Sequence, residues 1–335
     1  MRIAMLSPIA WRTPPRKYGP WEQVVSVLTE SLVKKGIDVT LFATGDSITS
    51  AHHEWICQIS YAENPEADPK VWECLHISHC MEMAEDFDLI HNHFDFLPLT
   101  YSRLISTPMI TTIHGFSSEK IIPVYQTYNS CTHYISISDS DRHPSLDYLD
   151  TIHHGIDSSR FSFRDKKEDY LLFFGRIHPH KGTLDAIRIA QKSGHRLKIA
   201  GLIQDKLYFR DEINPNIDGE NIIYLGNVSQ KEGNELLGKA KALLHPIHFD
   251  EPFGLSVAEA LMCGTPVIAY QRGSMTELID HGRTGFLVKN ADEAAAAVEK
   301  ADRIHPVECR KQAMEKFSIQ KMVDSYIRAY HKILS

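Results

Sequence analysis

The sequence predicts an α/β protein made of two doubly wound domains, and three observations carry that expectation. Short apolar runs with strand character alternate with helical patterns along the whole chain. At 335 residues the chain is long enough for two domains, each with its own core. Finally, Glu251-Pro-Phe-Gly-Leu-Ser-Val-Ala-Glu259 joins a strand-like run, Ala242 to Pro246, to a helical run ending near Met262. That is the strand-loop-helix device by which open α/β sheets hold anions.

In the first half, Arg2 to Ser7 reads as a buried strand. Pro8 to Glu22 is a Pro-rich loop leading to a helix from about Trp21 to Lys35. Val24, Val25, Leu28 and Leu32 keep helical spacing, Gly36 suits the helix end, and Ile37 to Ala43 returns as a strand, completing a βαβ unit. Gly19 lies outside any G-x-G-x-x-G fingerprint and reads as a turn residue. Arg12, Arg16 and Lys17 in the same loop fit two readings, contact with an acceptor or donor phosphate and plain solvation. A helical pattern spans Val71 to Phe87. Its Cys74, His76, His79 and Cys80 match no common zinc spacing, so no metal site is predicted.

Asp88 to His93 and Pro108 to Gly115 are strands whose ends bear His91, His93 and His114, where open α/β sheets bind ligands. Tyr134 to Ser138 is the next strand. Ser138 or Asp139 is expected to cap a following helix, with Asp141 in its first turn. Thr151 to Asp157 closes this half, and the polar stretch Ser158 to Glu168 reads as the linker.

The second half opens with a strand at Asp169 to Phe174, which delivers Gly175 and Arg176 to a loop. Lys181 stands before a helix at Thr183 to Lys192, and further strands follow at Arg196 to Ala200, Ile222 to Leu225, Ala242 to His245 and Pro266 to Ala269. Two cations five residues apart in a glycine-flanked loop converge on one anion or remain exposed charge. Gly254 lets backbone N–H groups approach a ligand, and the helix after it aims its unpaired N–H groups at the same place. Glu251 sits before that helix and Glu259 about a turn and a half inside it, positions from which two carboxylates could meet hydroxyl groups on either side of a diphosphate. Taken alone, the pair also fits an ordinary strand-loop-helix. The last helix, about Ser318 to Leu334, carries Met322, Tyr326, Ala329, Tyr330 and Ile333 on one stripe.

Composition narrows the class. The hydrophobic share of 43% is ordinary for a globular protein, and no run of roughly 18 apolar residues exists. The N-terminus goes from Met-Arg directly into a strand pattern with no signal-peptide cleavage site. Six cysteines, at 57, 74, 80, 131, 263 and 309, form no C-x-x-C pair, which points to reduced thiols and a cytoplasmic protein. Residues 1–160 hold 11 Lys+Arg and 20 Asp+Glu, and the remainder 25 and 23, so the net charge of −7 resides in the first half. That half has no long-range attraction for nucleic acid or anionic lipid, and peripheral membrane contact is not indicated. The near-neutral second half suits a dianionic ligand.

Glu251 to Glu259 resembles the Glu-x7-Glu element of the family 4 retaining glycosyltransferases. The resemblance spans nearly the whole chain. Gly175-Arg-Ile-His-Pro-His-Lys181-Gly is similar to that family's Arg and Lys pair for the donor diphosphate. Asn221-Ile-Ile-Tyr-Leu-Gly226 resembles its strand before the nucleobase pocket. Gly264-Thr-Pro-Val-Ile-Ala-Tyr, Glu277-Leu-Ile and Gly282-Arg-Thr-Gly-Phe-Leu-Val288 follow in the family's order, and Thr112-Ile-His114-Gly looks like its first-domain histidine motif. Two departures stand out: Gly19-Pro20 replaces the family's frequent double glycine, and His154 replaces Asn in Asn-Gly-Ile-Asp.

The resemblance implies the GT-B fold. It places an acceptor domain at 1–160 plus the terminal helix 318–335, and a donor domain at 161–317, facing across a cleft. It implies transfer, with retention, of a hexosyl group from a nucleoside diphosphate sugar, UDP-glucose or another UDP-hexose, to a hydroxyl of a carbohydrate, lipid-linked or small-molecule acceptor. No cofactor or metal is implied. The roles it implies are Arg176, Lys181 and the N–H groups around Phe253, Gly254 and Leu255 on the diphosphate, and Glu259 on the ribose. Glu251 and His114 would act at the transferred sugar, Gly19 near the donor and Asn227 near the base, with Arg12, Arg16, Lys17 and His93 on the acceptor side. A glycoside phosphorylase, a sugar-nucleotide epimerase and a non-catalytic sugar-nucleotide-binding protein remain as alternatives.

Overall fold

The computed structural model describes residues 1–335 as two compact units, Met1–Gly155 with Ile319–Ser335, and Ile156–Ser318. The boundary expected after residue 160 falls five residues earlier, and the stretch expected as linker belongs to the second unit. Arg310 donates to the carbonyls of Phe161 (2.8 Å) and Ser158 (3.3 Å), and Arg164 pairs with Glu235 at 2.6 Å. The polarity of Ser158 to Glu168 serves these contacts and does not mark a mobile joint.

The first unit is built on seven parallel strands: β1 (Arg2–Leu6), β2 (Asp38–Phe42), β3 (His52–Glu54), β4 (Leu89–Asn92), β5 (Met109–Ile113), β6 (His133–Ser136) and β7 (Tyr148–Thr151). Their order is β3-β2-β1-β4-β5-β6-β7. A parallel sheet is covered on both faces, which is why β1 reads as an apolar run without alternation and β5 is buried at all five positions, Thr111 and Thr112 included. Ile3, Ala4, Met5 and Leu6 are all completely buried, each Leu or Ile contributing roughly 1.5–3 kcal/mol.

Helix α1 (Pro20–Lys34) starts with Pro20, whose missing N–H costs nothing in a first turn, and buries Val24, Val25, Leu28 and Leu32. Helix α2 (Pro69–Glu82) is capped by the Asp68 carboxylate, which accepts from the Lys70 and Val71 N–H groups. Helix α3 (Ile122–Tyr128) precedes β6. No helix follows β6, so the capping role expected of Ser138 or Asp139 does not exist. The segment is a turn in which Ser138 Oγ accepts from the Asp141 N–H (3.2 Å) and Asp139 accepts from the Thr151 hydroxyl (2.6 Å).

The second unit has six parallel strands: β8 (Tyr170–Phe174), β9 (Arg196–Ala200), β10 (Ile222–Tyr224), β11 (Ala242–His245), β12 (Val267–Tyr270) and β13 (Gly285–Val288), in the order β10-β9-β8-β11-β12-β13. Its helices are α4 (Thr183–Ser193), α5 (Lys206–Tyr208), α6 (Gln230–Lys239), α7 (Leu255–Met262), α8 (Met275–Leu278), α9 (Ala291–Val298) and α10 (Pro306–Phe317). Ser229 and Glu232 close a reciprocal capping box at the start of α6.

Helix α11 (Ile319–Leu334) belongs to the first unit and packs on α1. Met322, Val323, Tyr326, Ala329 and Tyr330 are buried, and Lys35 pairs with Asp324 at 2.8 Å. Extended backbone at Ser318 (ψ 146) separates α10 from α11.

Candidate functional site

In the second unit the strand order reverses between β8 and β11, the place where open α/β sheets take ligands, and the loops leaving those two strands carry the candidate residues. The loops touch at Gly182. Its φ is +72°, and a Cβ there would lie 1.8 Å from the Pro246 carbonyl oxygen, so the approach requires glycine. One residue earlier, Lys181 Nζ is bonded to the Glu251 carboxylate and lies 4.7 Å from the Phe249 ring centre. His245, at the end of β11, brings Nε2 to 3.6 Å from the same carboxylate. Burial pushes the Glu251 carboxyl up, but the Lys181 charge and the nearby His245 ring outweigh it and hold it at about 2.

The loop bearing Glu251 is fixed from behind. Ser274 donates its N–H to the Glu251 carbonyl (3.0 Å) and its hydroxyl to the Phe253 carbonyl (2.5 Å). Gly254, with φ +94°, is the N-cap of α7, and its carbonyl accepts from the Val257 and Ala258 N–H groups. The Leu255 and Ser256 N–H groups have no intrahelical partner, which makes this end electropositive. Glu259, on α7, is half-buried with no cation beside it, and burial pushes its carboxyl up to about 8.

Arg176 and Lys181 do not share a partner. Arg176 donates to Gln204 Oε1 at 2.5 Å, while Lys181 is taken by Glu251. Asn227 is half-buried just beyond β10, after Gly226, whose carbonyl accepts from the Gly201 N–H (2.9 Å).

In the first unit the structure joins His93 and His114, with Nδ1 of the former 2.9 Å from Nε2 of the latter. Gly19 is the N-cap of α1, and Trp21, two residues on, stacks on His114 with ring centres 5.2 Å apart. Glu22 in the same turn is buried and accepts from the Trp11 N–H (3.1 Å), and burial pushes it up to about 7. Of the three loop cations, two meet protein partners and one is exposed. Arg16 pairs with Glu63 (2.9 Å) and Asp46 (3.2 Å), Arg12 reaches the Asp46 carbonyl at 3.5 Å, and Lys17 is exposed. In α2, Cys80 is buried and Cys74 exposed. His76 Nε2 bonds the Ser7 carbonyl (2.9 Å), His79 faces Glu54 (3.3 Å), and all six thiols of the chain are free.

Sequence reasoning missed His245, Trp21 and the pairing of His154 with His114. The departure from the Asn-Gly-Ile-Asp pattern at His154 was the one signal available. For His245 and Trp21 nothing but three-dimensional neighbourhood gives them away.

Residues 156–318 match the family model described as glycosyl transferases group 1, and residues 22–160 match that of glycosyltransferase family 4. A glycogen synthase from Mycobacterium tuberculosis is 26% identical over 355 residues, covering 89% of this chain and 84% of that protein. A protein encoded in a cps region of Klebsiella pneumoniae, itself uncharacterised, is 34% identical over 176 residues; the match takes in 49% of this chain and about half, 47%, of that protein. In fold the chain is similar to a sucrose-phosphate synthase from Thermosynechococcus elongatus, with a TM-score of 0.82 and 18% identity over 99% of each chain. It is also similar to HepE from Anabaena, solved in complex with UDP-glucose, with a TM-score of 0.74 and 17% identity over 99% of this chain and 100% of that one.

Proposed function

The chain belongs to the group 1, family-4-like glycosyltransferases, enzymes of the two-domain GT-B fold, and on that premise we propose that it transfers a hexosyl group from a nucleoside diphosphate sugar to an acceptor hydroxyl with retention. The observation that carries this reading is the meeting of Lys181, Glu251 and the open N-terminus of α7 at the β8/β11 reversal. Such an arrangement offers one anion-binding surface with a carboxylate at its edge.

In this reading the donor diphosphate lies against the N–H groups around Phe253, Gly254 and Leu255, with Lys181 and Arg176 as its cations. Negative charge grows on the leaving phosphate as the glycosidic bond breaks, and donors already in place stabilise it without reorganisation. Glu251, ionised at neutral pH, favours the positive, oxocarbenium-like sugar. Glu259 takes the ribose hydroxyls, Asn227 lies near the base, and His114 gives an N–H to a sugar hydroxyl. The departing phosphate takes the acceptor's proton, so no separate base is required. The positive groups suffice to hold the diphosphate, and the reading includes no metal or cofactor.

UDP-glucose is the proposed donor, supported by the UDP-glucose complex of HepE. The acceptor is a carbohydrate, lipid-linked or small-molecule hydroxyl. A cytoplasmic location is proposed from the free thiols, and no helix is long and apolar enough to cross a membrane.

The test is a thermal-shift screen against nucleotides and nucleotide sugars, followed by transfer to an acceptor panel with NMR of the product's anomeric proton. A donor at 100 times its Kd adds roughly 2.7 kcal/mol to stability. Retained configuration and nucleotide release support the reading. Turnover only with inorganic phosphate, epimerisation without acceptor, or binding without turnover would each replace it by the corresponding alternative.

A further inference from the structure

In the second unit the loops leaving β11, β12 and β13 meet α4 and the start of α9 around a cleft of about 390 Å³. Neither Lys181 nor Glu251 lines it, so it is separate from the ion pair described above. Four cations do line it. Arg188 and Lys192, four residues apart, share one face of α4, while Arg272 follows β12 and Lys289 follows β13. Two carboxylates, Asp185 and Asp292, complete the charges.

Those carboxylates are spent inside the protein. Asp185 accepts from the Tyr270 hydroxyl (3.0 Å) and the Arg188 guanidinium (3.1 Å), and His248 Nε2 lies 3.0 Å from it. Asp292 is bonded to Lys192. Arg188 and Lys192 are thereby neutralised in pairs, whereas the Arg272 and Lys289 side chains are exposed and have neither an ion pair nor a hydrogen bond. Four cations against two carboxylates, leaving His248 out of the count, give the cleft two unmatched positive charges.

That excess suits a dianion. The volume is in the range of small-molecule sites, so a bare inorganic ion would leave most of it to water and the dianion should carry a body. The walls say that the body is hydroxylated. Asn290 uses its carboxamide oxygen to cap α9, accepting from the Asp292 and Glu293 N–H groups (3.0 Å each), which leaves its amide nitrogen as a donor. Tyr270, the one aromatic ring in the lining besides His248, is 5% exposed and offers no face on which a nucleobase could stack.

We propose that this cleft binds the phosphate monoester of a small polyol, with the phosphate held between Arg272 and Lys289 and the hydroxyls turned toward Asn290 and Asp185. The guanidinium supplies paired N–H groups for two phosphate oxygens, and the ammonium a point charge. This second anion site goes beyond the glycosyl-transfer reading and does not rest on it.

The experiment is calorimetric titration of the full chain with ribose 5-phosphate, in saturating UDP so that the proposed donor site is filled. One equivalent should bind, and the double variant Arg272→Ala with Lys289→Ala should weaken it at least about tenfold at unchanged affinity for UDP. Lys289→Glu alone should weaken it as much, since it replaces an attractive charge by a repulsive one. Inorganic phosphate should bind at least about tenfold more weakly than ribose 5-phosphate. No binding in the presence of UDP, an affinity untouched by the double variant, or equal affinity for inorganic phosphate or sulfate overturns the inference. A wild type that binds ribose 5-phosphate through Arg272 and Lys289 but transfers no sugar to any acceptor would count against the transferase reading and support this site.

Discussion

The Lys181 ammonium and the Glu251 carboxylate form one ion pair, with side chains 14% and 12% exposed, so the cation proposed for the diphosphate and the acid proposed for the sugar hold each other in place. Removing one partner strands the other. Lys181→Met should cost about 3 kcal/mol in chemical denaturation, as expected when a buried pair is broken, and the double variant with Glu251→Gln should recover most of that loss. Turnover should fall at least about tenfold in both. Arg176→Ala removes only the Gln204 contact, so it should lose similar turnover while leaving stability nearly unchanged. Full activity in Lys181→Met would sink the diphosphate assignment.

Glu251 also writes a pH dependence into the fold. Its carboxyl, ordinarily near 4.5, is held at about 2 in the folded protein. A depressed acid contributes stability that is fully present above 4.5 and is lost as pH falls toward 2, because the unfolded chain binds the proton first. The shift corresponds to about 3 kcal/mol. Glu251→Gln should flatten the stability profile between those two pH values. A profile identical to wild type would mean that Lys181 and His245 do not hold the charge.

Glu259 has the opposite sign. Burial without a cation raises it from 4.5 to about 8, so the unfolded chain ionises first as pH rises and stability declines through that window. Glu259→Gln should therefore be more stable than wild type at pH 8, by about 1 kcal/mol because the side chain is partly exposed, and equal to it at pH 4. Above pH 8, where the carboxyl is ionised, the same variant should bind UDP about tenfold more weakly, since the amide replaces an acceptor-only group at the proposed ribose site. Tighter binding with lower stability would contradict both halves of this account.

Gly182 tests the approach of the two loops. Alanine there would take a left-handed conformation and place Cβ 1.8 Å from the Pro246 oxygen, so the β8 and β11 loops would have to part. Gly182→Ala should lose about 2 kcal/mol or more of stability and raise the donor KM by displacing Lys181. Gly194→Ala, at a helix end with nothing near the added carbon, should cost only about 1 kcal/mol and leave KM alone. Equal effects of the two would show that the loop contact is unimportant.

Much of this architecture was legible in the chain because strands such as β1 and β11 are apolar runs and helices such as α2, α6 and α9 carry capping residues in place. Arg196 to Ala200 and Ala242 to His245 have the expected bounds. The misreadings share a cause. Ser158 to Glu168 reads as a linker because it is polar, yet that polarity is spent on Arg310, Asn234 and Glu235, partners 70 or more residues away. Nor does the spacing of Arg176 and Lys181 show that Lys181 meets Glu251, a residue of the loop after another strand. Local composition does not report such long-range pairings. The same limit hid the contact of His154, in the loop after β7, with His114, just beyond β5.

Asp139-Ser-Asp141 has the D-x-D form that glycosyltransferases of another fold use to hold a divalent metal on a donor diphosphate, and metal dependence would be an easy inference from it. The Asp139 side chain is committed elsewhere. Asp139 accepts from the Thr151 hydroxyl at 2.6 Å and lies 3.8 Å from the Arg142 guanidinium, and the Ser138 hydroxyl receives the Asp141 N–H, so the segment is a pinned turn next to β7. The positive charge proposed for the diphosphate belongs to the second unit, in Lys181, Arg176 and the N-terminus of α7. A divalent ion would duplicate it. Activity should therefore be unchanged in excess EDTA, and the double variant Asp139→Asn with Asp141→Asn should lose only about 1 kcal/mol of stability from weakened turn contacts, with kcat near wild type. Activity abolished by EDTA and restored by manganese or magnesium would overturn the metal-free mechanism. Loss of turnover in the double variant at wild-type stability would move the diphosphate site toward this turn.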